Sequence, residues 1–136
     1  MQSITPEQTV LYENLIKLSY QRVAHGKMMD EGPLDVEIVA VFTPPKSASK
    51  KRKKSMLEGS IYPEVKPDID NITKTVLDAL NGLAYKDDKS VAWLSAAKVY
   101  GEEEQVMVRI YSSPTMAKRT ERKTRKTGTE ITAKTD

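Results

Sequence analysis

The run Lys66-Pro67-Asp68-Ile69-Asp70-Asn71-Ile72-Thr73-Lys74 places two carboxylates and a lysine at the start of a helical pattern, and Asp87-Asp88 follow downstream. Carboxylates that converge repel one another and raise each other's pKa unless a cation lies between them. A bound divalent metal keeps such a group ionised. Lys74, one turn into the helix, has no lone pair to offer a metal, but its ammonium can hold a phosphate that the metal also touches. Acids, a metal and a lysine around one phosphate are the parts of a phosphodiester-cleaving site.

Each feature alone also has an ordinary reading. Asp-x-Asp after a proline is common as plain helix capping, and Asp87-Asp88 can be an acidic turn. Lys74 can pair with Asp70 or Asp78 at i, i+4, and Asn71 can bond its local backbone. It is their joint occurrence beside a basic segment that favours the phosphate chemistry.

The composition narrows the metal and the partner. The chain has no cysteine and one histidine, His25, so any metal must be held by oxygen, which points to magnesium or manganese. Lack of cysteine fits a reducing cytoplasm. No apolar stretch approaches membrane-spanning length. Aromatics are scarce, which argues against a stacking platform for single strands. The net charge is +3 over 136 residues, but the positive charge is local. Lys46, Lys50, Lys51, Arg52, Lys53 and Lys54 form one cluster, a surface for nucleic-acid phosphates. A second basic stretch, residues 113–136, holds 7 of the 22 Lys and Arg residues.

These groups need elements to position them. Thr5-Pro6-Glu7 opens a helix over about 6–24, with Val10, Leu11, Leu15, Leu18 and Val23 as its stripe. Leu34 to Phe42 alternates as a strand, closed by Pro44-Pro45. A short basic helix is expected within 46–60, and Pro63 and Pro67 keep 61–67 extended. Ile69, Ile72, Val76, Leu80 and Leu83 mark the clearest helix, which presents Asp70, Lys74 and Asp78 on another face. Val91–Tyr100 and Gln105–Tyr111 are expected to form a C-terminal β-hairpin. From Ser112 the chain lacks periodicity, so residues 113–136 are expected to be a disordered basic tail behind a 1–112 domain. The fold class is α+β: a small two-layer domain with a mixed or antiparallel sheet and helices on one face. Three strands make a thin sheet.

Lys66-Pro-Asp68-Ile-Asp70-Asn71-Ile-Thr-Lys74-Thr-Val-Leu-Asp78-Ala-Leu-Asn-Gly82, then Tyr85-Lys-Asp87-Asp88-Lys-Ser-Val91, closely resembles the RusA family of Holliday-junction resolvases, found in phages, prophages and bacteria. Thr5-Pro6-x-x-Thr9-x-x-Tyr12-Glu13, the 47–53 basic segment and Lys98-x-Tyr100-Gly101 extend the likeness over about residues 4–111. The resemblance implies a homodimer that cuts four-way DNA junctions by paired, magnesium-dependent nicks in recombination and repair. By position, Asp68, Asp70 and Asp88 would bind the metal and Lys74 would lie by the scissile phosphate. Asp87, Asp78 and Asn71 would stand behind them, Asp78 steadying Lys74. Family members begin with a strand before the first helix; this chain starts almost at Thr5-Pro6, in keeping with the thin sheet. Two other functions fit parts of the pattern. One is a branched-DNA-binding protein that does not cut. The other is a magnesium-dependent phosphohydrolase acting on small nucleotides, although the glutamate-rich helix pair usual for that class is missing.

Overall fold

Alternating apolar residues in the strand Leu34–Phe42 (β1) place Leu34, Val36, Ile38 and Ala40 on one face, and all four are buried. The computed structural model describes residues 6–29, 32–113 and 128–134. The order is α1 (Pro6–Ala24), β1, α2 (Lys50–Leu57), α3 (Ile69–Leu80), a 3-10 turn (Asp88–Ser90), β2 (Val91–Tyr100), β3 (Gln105–Ser112) and β4 (Gly128–Lys134). The protein is thus α+β, a mixed four-stranded sheet with helices packed on it, as expected.

The core lies between the sheet and α1 with α3. Val106, Val108, Ile110, Ile131 and Ala133 extend the apolar face of β1, and Ile72, Val76, Ala79 and Leu80 of α3 cover it. Burying side chains of this size stabilises the fold by about 1.5–3 kcal/mol each. In α1 the apolar stripe is only in part the expected one: Leu15 packs against the core. Ile16 and Tyr20 are fully buried, whereas Leu18 and Val23 lie 57% and 49% exposed. Apolar residues occur all round this helix, so periodicity alone does not select the face. The expected Thr5 cap and the side chains of Val10 and Leu11 lie outside the described residues.

The expected hairpin is not formed. The strand order is β2-β1-β3-β4, so β1 runs between the two strands, parallel to β2 and antiparallel to β3. Parallel pairing requires a long crossover, and the stretch from α2 through α3 supplies it between β1 and β2. The short connection after β2 then passes over the end of β1. Gly101 N–H donates to the Phe42 carbonyl oxygen at 2.8 Å. A Cβ at Gly101 would stand 2.5 Å from Val41 Cγ1, so a residue with no side chain is needed there.

The expectation of a disordered tail over 113–136 is corrected at 128–134. This segment forms β4, antiparallel to β3, and Ile131 and Ala133 enter the core. Two apolar residues are too few to read as a strand in isolation; the ladder to β3 and the α1 surface supply the rest. The sheet therefore has a fourth strand, contributed from the C-terminal side. The remaining tail expectation, 114–127, lies outside the described residues.

Candidate active site

Asp68 occupies the N-cap of α3 with extended backbone, and its carbonyl oxygen accepts from Ile72 N–H at 3.1 Å. Its carboxylate makes no cap hydrogen bond. Simple capping therefore does not use this side chain, which lies 59% exposed with Lys66 Nζ 3.9 Å away. Asp70, in the first turn, is exposed, and its Oδ1 accepts from Asn71 N–H at 3.0 Å. The α3 N-terminus favours both negative charges.

Lys74 and Asp78 follow Asp70 at successive i+4 steps, both exposed. Each step advances about 6 Å along the helix. No ion pair joins Lys74 to Asp70 or Asp78 among the described residues, so the expected steadying of Lys74 by Asp78 is not made by direct contact.

Asp88 is brought to α3 by the turn that ends the helix. Gly82, at φ 79°, adopts the left-handed conformation that suits glycine. Its N–H donates to the Tyr85 carbonyl oxygen at 2.8 Å, and Ala84 N–H donates to Leu80 O at 2.8 Å. The chain folds back and buries Tyr85 at 2% exposure. The Tyr85 hydroxyl donates to Leu77 O at 3.1 Å, and the Asp88 carboxylate lies near the phenol. Burial, then the negative charge of Asp88, holds the phenol pKa well above its ordinary value, with Asp78 adding to the effect. Asp88 is itself half-buried, and its Oδ1 is buried without a hydrogen-bond partner. Asp87 caps the 3-10 turn, accepting from Lys89 N–H at 3.1 Å.

The acids thus fall into two groups along one helix. Asp68 and Asp70 share its start, while Asp78 and Asp88 flank Tyr85 near its end. Asp70 and Asp78 are two helical steps apart, about 12 Å. Among the described residues no three His, Cys, Asp or Glu side chains stand close enough to hold a metal ion. Uncompensated carboxylates repel, which opposes closure of the set. The donors still suit a hard dication: all are carboxylate oxygens, and one is buried with an unmet need for a partner.

The basic cluster forms α2. Ser49 Oγ accepts from Arg52 N–H at 3.2 Å, capping the helix, and buried Met56 anchors it against the domain. Lys46, Lys50, Lys51, Arg52 and Lys54 are exposed and Lys53 is half-buried. Lys54 lies 4.0 Å from Glu58. The helix meets β2, a strand that α3 also contacts.

Sequence reasoning gave Tyr85 no role of its own. The available signal was an aromatic residue three positions before Asp88, just beyond a glycine-containing helix end. The distances to α3 become evident only once that turn is formed.

Residues 2–111 match the family model described as "Endodeoxyribonuclease RusA". Over 81 residues the chain is 44% identical to "Uncharacterized protein YqaN" of Bacillus subtilis (strain 168), covering 58% of this chain and 57% of that protein. No solved structure matches the chain significantly.

Proposed function

This chain belongs to the RusA endodeoxyribonuclease family, and we propose that it resolves four-way DNA junctions by paired, magnesium-dependent nicks. Manganese would substitute for magnesium. The chain spans 57% of the length of the relative it matches. The observation that carries it is the arrangement along α3: Asp68 and Asp70 exposed at its start, Lys74 one turn on, and Asp88 returned to the same helix near its end.

In this reading Asp68, Asp70 and Asp88 would hold the metal, which would supply charge neutralisation at the phosphate and an activated water. Lys74 stabilises charge developing on the phosphate. Asn71 and Asp87 keep the ends of the two acidic segments in place through backbone hydrogen bonds. Lys46, Lys50, Lys51, Arg52, Lys53 and Lys54 contact the DNA backbone without reading sequence. A homodimer would present two such sites to opposite strands, in recombination and repair within the cytoplasm. No helix among the described residues is long and apolar enough to cross a membrane.

A second reading, a junction-binding protein that does not cut, is favoured by the separation of Asp88 from the start of α3. Incubating the protein with a four-way junction and magnesium separates the two. Symmetric nicks are expected; tight binding with no nicks would leave only the binding role.

A further inference from the structure

An open groove of about 630 Å³ lies beside Asp68, between the 62–65 segment and β2 at Ala97-Lys98. Its volume is in the range of small-ligand sites. The frame is fixed at both ends. Pro63 is buried, and Lys98 Nζ donates to the Val65 carbonyl oxygen while lying 5.4 Å from the Phe42 ring centroid. Held this way, the segment leaves Tyr62, Val65 and Ile69 at 63%, 43% and 42% exposure along the groove. Three large apolar groups exposed together on a small surface mark a binding region more often than chance exposure.

We propose that this groove is a nucleobase subsite in which Tyr62 stacks on one base of the DNA strand whose phosphate lies at the acidic start of α3. The inference rests on the reading of the chain as a DNA-cleaving enzyme and names the part of the substrate that this surface takes. Two observations select the occupant. The groove borders Asp68 and β2, and the basic helix α2 also meets β2. A nucleic-acid strand lying from the basic helix to the acids at the start of α3 passes beside the groove. Tyr62, Pro63, Val65, Ile69 and Ala97 make most of its lining apolar, with Glu64 and Asp68 set against Lys98, which suits an uncharged aromatic ring better than a phosphate. Tyr62 offers a π-face that any base can stack on, and one ring is enough for one base.

The test uses the whole chain, with calcium replacing magnesium so that binding is read without turnover. Four-way junctions carry a single abasic nucleotide at each position flanking the cut in turn. Loss of the base at one position is expected to weaken wild-type binding roughly 5- to 150-fold. Tyr62→Ala should weaken binding of the intact junction by a similar factor, and Tyr62→Phe should retain it. The two losses should not add when combined, because they remove the two halves of one contact. Additive losses, or Tyr62→Ala binding the intact junction as wild type does, overturn the subsite; cutting by the same protein in magnesium then leaves the nuclease reading standing. Failure of the wild-type chain both to bind and to cut any junction overturns both.

Discussion

Tyr85→Phe removes one oxygen atom and should separate folding from metal binding. The ring is 2% exposed, so its packing survives the change. The lost hydroxyl donates to Leu77 O and lies near the Asp88 carboxylate. Leu77 O also accepts from Asn81 N–H at 2.9 Å, so that carbonyl keeps a partner. The folding cost should therefore lie near the ordinary net value of a hydrogen bond, about 1 kcal/mol. For a chain of 136 residues this lowers Tm by about 3–6 °C. Asp88 is affected differently, because Oδ1 already lacks a partner and the phenol orients the carboxylate. Removing such an outer support typically costs about 10- to 100-fold in metal affinity. Manganese titration by calorimetry, paired with thermal unfolding, reads both quantities. Unchanged manganese affinity beside the small Tm drop would refute Tyr85 as the residue that positions Asp88.

Other substitutions divide the chemistry from the scaffold. Asp70→Asn should abolish nicking while junction affinity holds or rises, since one negative charge facing phosphate is removed; gel-shift and cleavage assays on the same sample check this. Lys74→Ala should slow single-turnover cleavage by about 10²- to 10³-fold, the usual loss for a group that stabilises developing charge, with little change in junction Kd. An equal loss in both would make Lys74 a docking group. Ile131→Ala should destabilise the fold by about 2–5 kcal/mol, visible in denaturant unfolding, because this β4 side chain is 1% exposed. Wild-type stability in that variant would remove β4 from the folded domain.

α3 was legible in the sequence because Ile72, Val76 and Leu80 repeat at helical spacing and all face the core. β1 was legible for the corresponding reason at period two. What escaped was information carried by partners distant in sequence. Nothing local in Val91–Tyr100 or Gln105–Ser112 states that β1 lies between them; four residues linking two strands favour a hairpin unless another strand takes the place. β4 escaped because its two buried residues, Ile131 and Ala133, are set among Thr, Glu and Lys, and its stability depends on pairing with β3. At the site, the residue types were readable and their separation was not. Spacing put Asp70, Lys74 and Asp78 on one face, but the place of Asp88 along α3 depends on how the 81–85 turn delivers Tyr85.

Anomalous diffraction from a crystal soaked in manganese addresses the heart of the account. The expected result is one strong peak within coordination distance, about 2.0–2.3 Å, of Asp68, Asp70 and Asp88 oxygens. A fully occupied soak with no peak there, or a peak that does not include Asp88, would contradict it.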